Sequence, residues 1–238
     1  MSLSVEAQAR YAYVEQLISQ DFPPPARVVE LGSAPGDQIA QLAARGYECT
    51  SLDIGEASDG WGSGEAGRMK RLLADASVTD LTWNLEKTPY PLPDQSFDAV
   101  VMTEVYEHLR EYPVTSLREV HRVLRVGGRV YFTTPNQAYL VNRLRLLAGR
   151  NVQTPLVDWI GGLPFARHAR EYTFAEVRTL MEHAGLSVIR MGSRHFQVDS
   201  GRGGRAARLA KQGLDRMSRR WPSLGPEIVV VAERATAD

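Results

Sequence analysis

Val28-Val29-Glu30-Leu31-Gly32-Ser33-Ala34-Pro35-Gly36-Asp37 decides the fold, and Leu52-Asp53-Ile54 answers it about twenty residues later. Arg27 to Leu31 is a short apolar run broken by small residues, which predicts a buried parallel strand turning sharply into a helix from Gln38 to Arg45. Glycine at 32 and 36 lets the backbone adopt φ angles that other residues avoid and approach a ligand closely. The free N–H groups opening the next helix face the same crevice. Cys49 to Leu52 predicts a second strand with Asp53 at its carboxyl end, where a carboxylate can accept both hydroxyls of a ribose.

Spacing separates the two cofactor classes that use such a turn. A dinucleotide fingerprint, G-x-G-x-x-G, counted from Gly32 meets Ala34 and Asp37 at its second and third glycine positions. A nicotinamide oxidoreductase is therefore the weaker reading. A carboxylate at Glu30 instead suits a ligand with an ammonium group and no phosphate. The pattern acid-x-Gly-x-small-x-Gly, from Glu30 to Gly36, resembles the first motif of class I S-adenosylmethionine-dependent methyltransferases. The resemblance implies that Glu30 orients the methionine end of the cofactor and Asp53 holds its ribose. Gly32, Ser33, Ala34 and Gly36 would form the cradle, with Ile54 and Thr103 beside it. Ala34 departs from the family's usual glycine and adds a methyl group near the ligand.

A chain of 238 residues fits one large α/β domain over residues 1–238. Lysine plus arginine equals aspartate plus glutamate at 28 each, so no global field attracts nucleic acid or membrane, and a small-molecule partner is expected. The single cysteine, Cys49, excludes an internal disulfide and reads as a core residue. Nothing resembles a signal peptide or a membrane span, so the cytoplasm is the expected compartment.

Within residues 1–24, Val5, Tyr13, Val14, Leu17 and Ile18 predict an amphipathic helix over 3–20, covering the crevice or packing on the sheet. A glycine-rich segment from Gly55 to Gly67 reads as a loop able to close over a nucleoside, with a helix from Glu65 to Ala74. Val78 to Asn84 predicts a third strand. Asn84-Leu85 stands where the family commonly has Asp-Leu reading the adenine edge, and the asparagine carbonyl can still accept from an exocyclic amine.

The second specific likeness begins at Ser96-Phe97-Asp98-Ala99-Val100-Val101-Met102, a fourth strand followed by a glutamate-histidine pair that opens a helix in the family. Leu117 to Arg129 resembles the family's helix ending in a glycine pair, with Gly127 or Gly128 as the left-handed cap before a fifth strand, Val130 to Thr134. A helix over Gln137 to Arg150 opens an insertion over residues 137–170, where the family builds its acceptor pocket. Thr173 and Glu176 predict a capping box for a helix ending at Gly185. Leu186 to Met191 and Glu227 to Glu233 complete the strands. Over residues 201–221, Arg202, Arg205, Arg208, Lys211, Arg216, Arg219 and Arg220 face one acid, Asp215. That helix reads as a solvated basic face with Leu209, Leu214 and Met217 inward, in preference to an RNA or lipid contact. Strand-helix alternation argues a doubly wound, Rossmann-like α/β sheet. The resemblance implies seven strands in the order 3-2-1-4-5-7-6, with the last strand antiparallel and helices on both faces.

Methyl transfer from a sulfonium is an in-line displacement whose main demand is alignment, aided by a base where the acceptor carries a proton. Glu104, Glu107 and His108 follow strand four, and helical spacing would set them on one face. Glu-x-x-Glu-His also resembles ubiquinone-biosynthesis O-methyltransferases, in which matching residues are associated with a magnesium-type cation. His108 and Glu104 are thus candidates for catalysis, the trio is a candidate Mg2+ site, and a buried network at a helix start is the plainer alternative. His168, Arg170 and Tyr172 form a second cluster, His168 as a catalytic candidate and the others, with Asn136 at the rim, for an anionic or hydroxyl-rich acceptor. The leading expectation is S-adenosylmethionine-dependent methylation of a small-molecule hydroxyl. An RNA or protein methyltransferase and a non-catalytic cofactor-binding regulator are the alternatives. An Asn/Asp-Pro-Pro-Tyr motif after strand four is missing, which argues against base-amine methylation.

Overall fold

A computed structural model describes residues 3–55, 63–111, 113–153, 155–161, 167–196 and 205–235. Helix α1, Val5–Asp21, is capped by Ser4, whose Oγ accepts from Ala7 N at 3.1 Å. β1 (Arg27–Leu31) then enters α2 (Asp37–Ala44), and β2 (Glu48–Asp53) precedes α3 (Ser63–Asp75) and the short β3 (Thr79–Thr82). β4 (Phe97–Thr103) is followed by α4 (Pro113–Val123), β5 (Leu124–Pro135), α5 (Leu140–Leu147) and α6 (Leu156–Gly161). α7 (Phe174–His183), β6 (Leu186–Arg194), α8 (Arg205–Arg220) and β7 (Glu227–Arg234) close the chain. Most of the expected closing loop, residues 56–62, lies outside the described residues.

The strands form one sheet in the order β3-β2-β1-β4-β5-β7-β6, with β7 antiparallel to both of its neighbours and the other pairs parallel. Strand side chains alternate between two cores. Val29, Leu31, Val100, Met102, Val130 and Phe132 pack with Leu117 and Val120 of α4 and Val177 and Met181 of α7. Val28, Ala99, Val101 and Tyr131 point the other way, onto Ile18 of α1, Ile39 and Leu42 of α2, and Leu73 of α3. Cys49 is buried in the second core, and burial pushes its thiol up to about 12, so it stays a protonated core group. No described helix is long and apolar enough to cross a membrane.

Three local expectations change. The glycine pair does not cap α4, which ends at Val123 and passes directly into β5 at Leu124. The register slips from Phe97↔Leu124 to Ala99↔Arg129, and the extra β5 residues form a bulge that holds Gly127 at φ +75°. The helix after β5 is confined to Leu140–Leu147, and the irregular stretch beyond it contains α6. Leu209 on α8 is exposed rather than packed inward.

A Cβ at Gly128 would stand 2.9 Å from Arg125 O, 3.0 Å from Phe97 O and 3.2 Å from Asp98 O, all backbone atoms that cannot swing aside. Gly128→Ala is expected to cost about 1–3 kcal/mol. Denaturant unfolding checks this, with Gly213→Ala in the interior of α8, a site with open space around the added methyl, as a control expected to stabilise by up to about 1 kcal/mol.

Candidate active site

A cavity of about 320 Å3 opens at the carboxyl ends of β1, β2 and β4. This is the edge where parallel strands leave their next loops diverging, and where α/β sheets bind ligands. Its floor is the turn after β1. Gly32 (φ +70°) donates from N to Leu52 O at 2.8 Å, and Gly36 (φ +91°) turns the chain into α2. A Cβ at Gly32 would meet Val105 Cγ2 at 2.5 Å, so only glycine lets the segment after β4 lie this close to the turn. Asp53 Oδ2 accepts from Ala34 N at 3.1 Å and Oδ1 from Gly55 N at 2.9 Å.

Of the residues expected around a nucleoside, Gly32, Ala34, Asp53, Ile54, Asn84 and Leu85 line this cavity. Glu30, Ser33, Gly36 and Thr103 stand behind the lining. Glu30 is buried under the turn, and burial together with neighbouring Asp53 raises its carboxyl well above the ordinary carboxylate range. Ser33 Oγ lies 2.6 Å from Ser51 Oγ, and Thr103 Oγ1 donates to Gln38 Oε1 at 2.9 Å. Asn84 Oδ1 accepts from Glu86 N at 2.9 Å, an Asx turn that leaves its amide N–H groups as the side chain's free donors. Glu30 Oε2 and Gln38 Nε2 are buried without hydrogen-bond partners. Two unsatisfied polar atoms under a glycine turn, with a carboxylate at the neighbouring strand end, fit a nucleoside bearing an amino-acid tail.

The acceptor side differs more from the sequence reading. Tyr106–His108 is a single 3₁₀ turn, so Glu104, Glu107 and His108 do not share a helical face. Glu104 adopts φ +54°, lines the cavity and accepts from Thr133 Oγ1 at 2.8 Å. Arg10 of α1 lies 3.8 Å from its other oxygen and donates to Glu227 at 3.2 Å. Burial and Glu104 push the Glu227 carboxyl up to about 8. Glu107 is fully buried and accepts from Thr134 Oγ1 at 3.1 Å, and burial with Glu104 raises its carboxyl as well.

His108 lines the cavity, its Nδ1 3.2 Å from Arg167 O. A carbonyl can only accept, so Nδ1 carries the proton and Nε2 keeps its lone pair. Burial, then His168 and Arg110, lower the His108 pKa, which keeps that ring neutral. His168 crosses it edge-on at 5.0 Å and shares a 2.8 Å hydrogen bond with Glu171. Among the described residues, the grouping able to approach one cation is Glu107, His108 and His168, without Glu104. Two imidazoles and one buried carboxyl raised towards its neutral form do not suit magnesium, which demands oxygen ligands.

Asn136 and Tyr172 do not line the cavity. They form a bridge in which Asn136 Nδ2 donates to Ser223 O at 3.0 Å and Gly225 O at 2.7 Å, while Tyr172 packs on Tyr106 at 5.2 Å. Arg170 is exposed, pairs with Glu176 at 2.6 Å and stacks over Tyr172. Sequence reasoning missed Trp83, Val105, Leu109 and Arg110 as lining residues, and Glu86, which accepts from Arg110 N at 2.5 Å and Glu111 N at 3.0 Å. The turn-rich segment after β3 was the available signal for Glu86. None pointed to Arg10, which arrives from another part of the chain.

Comparison with known proteins agrees with this geometry. A family model described as "Methyltransferase domain" matches residues 6–191. The ubiquinone biosynthesis O-methyltransferase of Pseudomonas syringae pv. tomato is 31% identical over 117 residues, 48% of this chain and 47% of that protein. Its namesake from Aeromonas salmonicida is 27% identical over 173 residues, 71% of this chain and 66% of that protein. The matches therefore span between about half and two thirds of these relatives. A crystal structure of an S-adenosylmethionine-dependent methyltransferase from Mesorhizobium loti superposes with a TM-score of 0.65 at 17% identity, covering 97% of this chain and all of that one, a likeness of fold. With the motif at Glu30–Gly36, the sheet order and the family match in agreement, the chain belongs to the class I S-adenosylmethionine-dependent methyltransferases.

Proposed function

We propose that this protein transfers a methyl group from S-adenosylmethionine to a hydroxyl of a small-molecule acceptor, with His108 as the base. The observation that carries the reading is the His108 tautomer: Nδ1–H is spent on Arg167 O, and the ring stands in the same cavity as Gly32 and Asp53. S-adenosylmethionine, when bound, supplies an electrophilic methyl group on a sulfonium. His108 Nε2 takes the hydroxyl proton as the acceptor oxygen forms its bond to carbon, and Glu104, held by Thr133, offers a carboxylate that orients the acceptor. The O-methyltransferase relatives support oxygen as the acceptor atom. The metal reading is not carried further, because the donors that converge are the wrong set for Mg2+.

Calorimetric titration with S-adenosylhomocysteine and, separately, NADH tests the cofactor assignment, and binding of the nucleoside alone is expected. Asp53→Ala frees two turn amides as well as the ribose position and should weaken that binding by about tenfold or more. Unchanged affinity in this variant, or preference for NADH, removes the assignment.

Release of S-adenosylhomocysteine against a panel of phenols and sugars tests the base. His108→Gln should bind the nucleoside normally and turn over about 100-fold or more slowly. A base works deprotonated, and the His108 pKa lies below 6.5, so the wild-type rate should rise with pH along an acid limb below 6.5 and be flat by neutrality. An acid limb above 6.5, or full activity of His108→Gln, rules His108 out.

A further inference from the structure

Residues 137–170 leave the sheet and return to it at the cavity. Gln137 N donates to Tyr172 O at 3.1 Å, and Ala169 N to Glu107 O at 2.6 Å. Between these ties, every described residue from Arg143 to Asn151 is exposed. Large apolar side chains stand in water here on both short helices. Leu147 of α5 is 85% exposed, Val157 and Ile160 of α6 are each 75% exposed, and Leu144, Leu146 and Leu156 are also exposed. Such a concentration is uncommon on a soluble monomer and marks a contact surface.

The charges decide which contact. From Gln137 to Gly161 the sequence has three arginines, Arg143, Arg145 and Arg150, all exposed, against one acid, Asp158 of α6. Arg143 also joins this segment to the end of α8, donating to Ser223 O at 3.1 Å. Beside that point Trp221 is exposed, with Arg220 stacked on its ring at 5.7 Å. Leucines, an indole and arginines in excess over acids are the composition that settles in the interface of an anionic bilayer, where apolar chains enter the acyl boundary and arginines meet phosphates. A second copy of the chain would bring the same three arginines against themselves, with only Asp158 of this segment to offset them. Zero net charge hides this face, because the balancing acids lie elsewhere.

We infer that α5, α6 and the Trp221 corner form a docking surface for an anionic membrane, which holds the cavity rim at the lipid interface. Docking there would favour an acceptor carried in or on the bilayer. The surface itself does not depend on the methyl-transfer reading.

Co-sedimentation of the full chain with vesicles of phosphatidylcholine alone, and with about a third phosphatidylglycerol, tests it. Binding is expected to the anionic vesicles only and to weaken in high salt. Leu144→Asp with Leu147→Asp, and separately Arg145→Glu with Arg150→Glu, should each lower the bound fraction about tenfold, with melting temperature and S-adenosylhomocysteine affinity unchanged. No sedimentation with anionic vesicles overturns the inference, as does equal binding to neutral ones. A dimer in light scattering that the leucine variant abolishes, without vesicle binding, assigns the face to a second copy instead.

Discussion

The carboxylate of Asp53 accepts one amide from the turn after β1 and one from the segment after β2, and the cavity depends on that pair of bonds. Both amides lie beyond the strand ladders, where no sheet neighbour can satisfy them. A buried amide left unpaired costs about 1–3 kcal/mol, so one side chain fixes two loop starts. A parallel pairing of β1 with β2, Leu31 opposite Leu52, brings the three groups together. The same arrangement sets the charge under the turn. Burial under the turn, with Asp53 beside it, raises the Glu30 carboxyl well above the ordinary carboxylate range.

Elements whose information is local were legible in the sequence. β1, β2 and β4 are apolar runs because both faces of a central parallel strand are covered, and each falls within about a residue of its expected bounds. The Thr173–Glu176 capping box formed as its spacing required. The sheet order came from the family resemblance, since strand spacing alone does not fix it.

The acceptor side was not legible, because its geometry is set across long separations. Glu-x-x-Glu-His reads as helix by spacing, yet Glu104 takes a left-handed φ that costs a non-glycine residue about 1–2 kcal/mol. Thr133 from β5 and Arg10 from α1 hold Glu104 there, 29 residues and roughly 90 residues away respectively, and no local pattern encodes either. His108 likewise finds its orienting carbonyl 59 residues downstream. Asn136 and Tyr172 have residue types suited to a substrate site, but the antiparallel return of β7 places Ser223 and Gly225 where Asn136 must satisfy them. Residue type named candidates, and topology decided which of them face the cavity.

That topology also ties chemistry to the outer surface. The excursion from Gln137 to Arg170 carries the exposed leucines at its far end and supplies Arg167 O and His168 at its base. Its return is closed by Ala169 N on Glu107 O, one residue before His108. The carbonyl that fixes the His108 tautomer thus belongs to the same excursion as α5 and α6. Loss of the Arg167 O contact would remove the constraint that leaves the Nε2 lone pair available. One stretch of sequence thus carries both the exposed leucines and the carbonyl that orients the His108 ring.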